Sequence, residues 1–213
     1  TIHRGCFGGC AFCTISAHQG KQVVSRSEES ILHEVREITR MEDFKGYISD
    51  LGGPSANMYR LGGRDKSLCQ KCARPTCLHP KVCPNLNTDL TPLISLYRKA
   101  AEIPGVKKIC IGSGIRYDII LHQSDNADEN RSHLKYAEQL ICNHVSGRLK
   151  VAPEHTAGHV LQIMRKPSFS QFEQFSRMFD NICRKNGLRQ QLIPYFISSH
   201  PGCTEQDMAE LAA

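Results

Sequence analysis

An α/β fold built on a parallel sheet is the class this sequence predicts, and three observations predict it. Strand-like and helix-like stretches alternate five times, the pattern of strand–helix units whose helices pack outside a parallel sheet. Each strand-like stretch runs into a turn rich in Gly, Pro or His, which gathers polar groups on one rim. In α/β barrels the rim at the carboxyl ends of the strands is where active sites sit. A cysteine-rich stretch over residues 62–90 then breaks the rhythm and is expected to be an insertion.

Ile2 to Gly5 is the first strand, leading into Cys6-Phe7-Gly8-Gly9-Cys10-Ala11-Phe12-Cys13. Ser27-Glu28-Glu29 starts a helix, with a hydroxyl cap and acidic residues suited to the positive helix end. Ile31, Leu32, Val35, Ile38 and Met41 follow at helical spacing as its buried stripe. Gly46 to Leu51 is the second strand, ending in Gly52-Gly53-Pro54, a turn that brings backbone close to a ligand or a neighbour. Thr91-Pro92 opens the next helix, where proline's missing N–H costs nothing. Leu93, Leu96, Tyr97 and Ala100 are its inner face, and Pro104-Gly105 ends it.

Lys107 to Ile111 is the third strand, running into Gly112-Ser113-Gly114-Ile115-Arg116. Leu134, Ala137, Ile141, His144 and Val145 mark a helix that stops near Gly147. Arg148 to Ala152 is the fourth strand, followed by Pro153-Glu154-His155-Thr156, and Val160, Ile163 and Met164 make a short amphipathic turn. Ser170-x-x-Glu173 is a capping box that opens a helix with Phe172, Phe175, Phe179 and Ile182 inward and Gly187 as its stop. Leu192 to Ile197 is the fifth strand, with Pro194 favouring a bulge or a lightly paired position. His200 and Cys203 stand at its end, and Thr204-Glu205-Gln206-Asp207 starts a last helix.

A chain of 213 residues is enough for one domain with a real core and a small insertion. No apolar run approaches the roughly 18 residues of a membrane span, and no basic-then-apolar leader opens the sequence. Eleven cysteines, odd in number and bunched, argue against a secreted disulfide scaffold and for metal ligation in the cytoplasm. The net charge of +6 is compatible with nucleic acid as a partner, but the Lys and Arg residues are scattered as on a solvated surface. A first residue that is Thr, not Met, and a helical pattern that breaks off at the end are expected of a piece of a longer protein with flanking domains.

Cys6, Cys10 and Cys13 are spaced C-x3-C-x2-C, with Gly5, Gly8 and Gly9 letting the backbone curl so that the thiols point inward. A closed zinc site takes four protein ligands, which His3 or His18 would have to complete. An iron–sulfur cube held by three cysteines keeps one iron open. Cys69, Cys72, Cys77 and Cys83, spaced C-x2-C-x4-C-x5-C, are enough for a second site holding zinc or an auxiliary cluster. Cys110, Cys142 and Cys183 fall on strand or helix positions and belong to the core.

The first loop, with Phe12 before its last cysteine, resembles the C-x3-C-x-aromatic-C loop of the radical S-adenosylmethionine (SAM) enzymes. Gly52-Gly53-Pro54 stands where that family has a Gly-Gly-Glu-like motif, with Pro54 in place of Glu. The run Ala152-Pro153-Glu154-His155 and the insertion are most similar to the YgiQ-type branch, to which no reaction is assigned. The resemblance covers essentially the whole chain. It implies a six-strand partial (β/α)6 barrel whose sixth strand is missing here, with the cysteine-rich insertion inside it.

It also implies a [4Fe-4S] cluster on Cys6, Cys10 and Cys13, with SAM on the fourth iron and a flavodoxin or ferredoxin as reductant. Cleavage of SAM would give a 5′-deoxyadenosyl radical that takes hydrogen from a substrate the sequence does not name. Phe12 would pack near the adenine, and the Gly52-Gly53-Pro54 backbone would meet the amino group. Arg116 would fork onto the carboxylate. Ser113, Glu154 and His155 are candidates for the ribose and sulfonium, and Cys203 for giving or accepting a hydrogen atom. Two other classes stand beside this one, a zinc module that binds RNA and a two-cluster electron carrier.

Overall fold

A computed structural model describes residues 1–212. Nine α-helices and eight short strands alternate along these residues, and the strands pair as four two-stranded sheets. The expected single parallel sheet is therefore corrected: among the described residues there is no closed barrel, and its parallel pairing survives in two pieces. In one, β3 (Tyr47–Ile48) runs parallel to β6 (Lys108–Ile109), with Cys110 N–H donating to Ile48 O at 2.8 Å. In the other, β7 (Arg148–Glu154) runs parallel to β8 (Gln191–Phe196).

The first strand departs furthest from expectation. β1 (His3–Arg4) pairs antiparallel with β2 (Val24–Ser25), a segment the periodicity did not mark. A single bond, Ile2 N–H to Gly52 O at 3.0 Å, sets it beside the end of the second strand. Glycines explain why β3 is short: Gly46 and Gly52, at φ +94° and +83°, turn the chain out of extended conformation on either side. In β8, Pro194 lies opposite Val151, and the register shifts between Val151 and Glu154. A residue with no N–H weakens the ladder where the shift occurs.

The helices follow their apolar stripes, with local exceptions. In α2 (Glu28–Thr39) the Ser27 side chain accepts from Ser30 N–H and Ile31, Leu32 and Val35 are buried. Met41 lies past its end and is 63% exposed. Helix α4 (Thr91–Ala101) buries Leu93, Ile94, Leu96, Tyr97 and Ala100. Helix α6 (Ala127–Gln139) runs into a π-helical turn over Leu140–His144. The buried stripe of α6 runs through Glu129, His133, Tyr136 and Ala137 and passes Leu134 by, leaving it 60% exposed, and Leu140 and Ile141 continue the burial into the turn.

In α7 (Gly158–Met164) Leu161 is buried and Ile163 faces out. Helix α8 (Phe169–Lys185) begins at Ser168 without a side-chain cap bond, so the Ser170–Glu173 capping box does not form. The Ser168 and Ser170 hydroxyls bond each other instead, at 2.8 Å. Phe172, Phe175 and Phe179 are buried against the core, each worth about 1.5–3 kcal/mol of burial.

The insertion has secondary structure of its own. β4 (Gly62–Gly63) and β5 (Leu86–Asn87) pair antiparallel and clip its two ends together. Between them α3 (Lys66–Gln70) is capped by the Asp65 side chain. No helix of the described residues is long and apolar enough to cross a membrane.

Candidate functional site: two cysteine groups on one rim

The Cys6–Cys13 loop lies between β1 and α1 (Ile15–His18) and is tied down from three directions. Cys6 N–H donates to Gly20 O at 3.1 Å, and the Ser16 hydroxyl donates to Cys6 O at 2.8 Å. Ala11 N–H donates to Met164 O at 3.0 Å, and Arg165 Nη1 to Gly9 O at 3.2 Å, which joins the loop to the end of α7. Gly5 and Gly9 supply φ of +84° and +61°, the left-handed bends that let three thiols share so short a segment. All three thiols are half-buried. Burial pushes the Cys6 thiol up, opposed by the Gly8 N–H and by Arg116.

Arg116 is the charge partner of this loop. Its Nη1 donates to Cys10 Sγ at 3.3 Å, while Nε and Nη2 fork onto Asp118 at 2.9 and 2.6 Å. The fork expected for the SAM carboxylate is thus already engaged by Asp118. Buried Asn57 clamps the Arg116 backbone from both sides, accepting from its N–H at 2.8 Å and donating to its carbonyl at 2.9 Å. Burial by itself would raise the Asp118 carboxyl, but the guanidinium beside it holds it below the usual carboxylate range. Sequence reasoning missed both partners. Asp118, two residues from Arg116, carried a signal; Asn57 carried none, because its role depends on a contact 59 residues away.

The ends of β3 and β6 meet through Asp50, also unforeseen. Its carboxylate accepts from Gly52 N–H at 2.9 Å, from Ser113 N–H at 2.6 Å and from the Ser113 hydroxyl. Gly52 O is taken by Ile2, and Gly53 lies against the buried His3 ring, leaving no room for a side chain. Among the described residues neither His3 nitrogen has a partner. Burial pulls the ring down to about 4, so it is neutral at pH 7.

At the end of β7, Glu154 sits at φ +74°, a left-handed conformation costly for a residue with a Cβ. Its carboxylate faces Lys166 Nζ at 3.6 Å, and Lys166 also donates to Ala152 O at 2.7 Å. Burial pulls the Lys166 ammonium down. Buried His155 accepts Ala157 N–H at Nδ1 (3.0 Å), which leaves the ring proton on Nε2, 3.4 Å from Cys203 Sγ. Phe12 stacks edge-on to His200 with centroids 6.2 Å apart. The rim is thus joined from the first loop to the fifth strand end by side chains, where the sheet is not continuous.

The insertion brings a second thiol group against the first. Cys77 N–H donates to Phe7 O at 2.9 Å, the Thr76 hydroxyl donates to the same carbonyl, and Gly9 lies so close to Pro75 O that a Cβ would not fit. Burial raises the Cys77 thiol, and the Cys83, Cys72 and Cys69 sulfurs are near enough to act on its charge. Asn85 Nδ2 donates to Cys69 Sγ at 3.4 Å, and Lys21 Nζ to Cys72 Sγ at 3.7 Å.

Among the described residues no three His, Cys, Asp or Glu side chains are gathered to hold a single metal ion. What suits the first loop to a metal group is its donor set and shape: three thiols on a glycine-bent segment, with a guanidinium N–H on one sulfur. The His3 ring is packed on Gly53, and His18 is exposed.

Fold and site together define an open α/β scaffold whose strand-end rim carries three thiols, with a four-thiol insertion docked beneath them. No family model matches the chain. It is similar over nearly its whole length to proteins named UPF0313 protein. It is 68% identical to one from Bacteroides thetaiotaomicron over 99% of this chain and 34% of that protein. It is 62% identical to one from Porphyromonas gingivalis over 99% and 33%, and 49% identical to one from Methanocella arvoryzae over 100% and 34%. The chain spans about a third of the length of these curated relatives.

Proposed function

We propose that the chain is the core of a radical SAM enzyme, with Cys6, Cys10 and Cys13 as ligands of a [4Fe-4S] cluster. The observation that carries this reading is the Cys6–Cys13 loop itself, half-buried, bent by glycine and faced by Arg116 at Cys10. When bound, such a cluster supplies the electron that cleaves SAM to methionine and a 5′-deoxyadenosyl radical able to take hydrogen from a substrate. Arg116 offsets thiolate charge at Cys10 while Asp118 holds its fork. The carbonyls of Gly53 and Pro54 are then the acceptors left for the SAM amino group, since Gly52 O is engaged.

Ser113, its proton directed at Asp50, offers lone pairs to a ribose hydroxyl. Glu154 stands at the same rim as a further ribose or sulfonium contact, while both His155 nitrogens are engaged, by Ala157 N–H and by Cys203. Phe12, steadied by His200, covers the adenine side against water. Cys203, faced by the His155 N–H, would give a hydrogen atom to a substrate carbon radical, and one electron from the reductant and one proton from solvent would restore the thiol.

Anaerobic reconstitution with iron and sulfide, followed by an assay for 5′-deoxyadenosine under dithionite, tests the reading. The product should form, and Cys10→Ala should abolish it. A colourless zinc protein that never forms the product would favour the zinc module. Brown protein that forms none would favour the electron carrier.

A further inference from the structure

The insertion has little apolar material with which to hold its shape. Leu78 and Leu86 are buried and Cys77, Val82 and Cys83 pack against the core, but Leu68 is 60% exposed and Lys71, Cys72 and Ala73 face solvent. The β4–β5 clip closes its ends, helped by Arg64 N–H to Asn85 O at 2.7 Å and Asp65 N–H to Asn85 Oδ1 at 2.9 Å. Between those ends lies the five-residue helix α3, and four thiolates around a metal would add order to the rest, since metal binding contributes folding free energy directly. The surroundings of the thiols suit ligation. An amide N–H from Asn85 is directed at Cys69 Sγ and the Lys21 ammonium at Cys72 Sγ, the outer contacts that orient thiolate ligands and offset their charge. Lys21 also donates to Arg74 O, pinning the turn between Cys72 and Cys77. Gly63 lies directly against the Cys69 sulfur, where any side chain would displace it.

We propose that Cys69, Cys72, Cys77 and Cys83 bind a tetrathiolate metal centre, zinc or iron–sulfur, which braces the Cys6–Cys13 loop through the Cys77 N–H to Phe7 O bond. The thiols are not drawn together around one ion, so binding closes the insertion as the metal enters. The brace acts at one seam: Phe7 O receives Cys77 N–H and the Thr76 hydroxyl, and Gly9 meets the Pro75 carbonyl. The metal site itself does not rest on the proposed SAM chemistry.

Three measurements on the full protein test it. The first uses a variant with Cys6, Cys10 and Cys13 all changed to Ser, so that any thiolate-bound metal belongs to the insertion. Zinc, iron and acid-labile sulfide are quantified per chain after anaerobic loading. Stoichiometric zinc without colour assigns a zinc ion; iron with sulfide and visible absorption assigns a cluster. Folded protein with neither metal overturns the site, and leaves the radical SAM reading standing.

The second needs no variant. Thiols of the metal-loaded native protein are titrated with a thiol reagent before and after a strong chelator. Release of four additional thiols, mapped to Cys69, Cys72, Cys77 and Cys83, supports the centre; equal reactivity before and after overturns it. Hydrogen exchange on the triple-Ser variant reads the brace. Chelation should speed exchange of the Cys77 amide at least tenfold, and unchanged exchange would show that the seam does not depend on the metal.

Discussion

The two cysteine groups lie against each other but are built differently. The first has three thiols on a loop tied into the core, beside a buried ion pair and under strand-end turns. The second has four thiols on a thin insertion, with donors reaching them from Lys21 and Asn85 at or near the surface. Three thiols leave a metal group one position for a ligand, whereas four complete its coordination. The difference separates a group suited to chemistry from one suited to holding shape.

The largest expected effect separates them outright. Cys10→Ala should remove iron and product formation at the first group while the insertion keeps its metal, measured by metal analysis with the 5′-deoxyadenosine assay. Equal loss at both groups would break the distinction. Next is the ion pair under the loop. Arg116→Leu leaves Asp118 buried without its partner and should cost about 3–5 kcal/mol in denaturant unfolding.

The same carboxylate sets a pH response. Its folded pKa lies below the ordinary value of 3.8, so it contributes stability above that pH and loses it as pH falls through the lower folded value. Acid unfolding of Asp118→Asn should therefore be flatter below that pH. His3 acts in a higher window. With the ring at about 4 when folded against 6.5 when unfolded, the unfolded chain binds the extra proton between these values. Stability should fall by about 3 kcal/mol as pH drops from 6.5 to 4, an effect absent in His3→Gln.

Gly9→Ala probes the seam. At φ +61° and against Pro75 O, the added methyl should cost about 1–3 kcal/mol and loosen the Cys77 amide by hydrogen exchange. Ser27→Ala, far from either group, should cost only about 1 kcal/mol of thermal stability and leave both metal contents unchanged.

Much of the fold was legible because helices announce themselves through periodic burial, as in α4 and α8, and strands through short apolar runs between glycines. Where the chain departs from that reading, a local cause is visible: the buried stripe of α6 runs through His133 and Tyr136 and passes Leu134 by, and the hydroxyl pair at Ser168 and Ser170 replaced a capping box. The rim was legible as a set of turns but not as a set of partnerships. Asn57 meets Arg116, Asp50 meets Ser113, and His155 meets Cys203 across 48 residues or more, and such pairs leave no periodic trace in the chain.

By itself the sequence determined the thiol spacings, the glycines that bend the first loop, and the alternation of helices with strands, because each depends on residues within a turn or two of one another. Tertiary structure alone decided that the parallel pairing divides into two pieces, that Arg116 turns its fork to Asp118, and that the insertion docks on Phe7 and Gly9. These outcomes follow from buried groups seeking partners wherever the chain's packing brings them, and that choice is made in space, not along the chain.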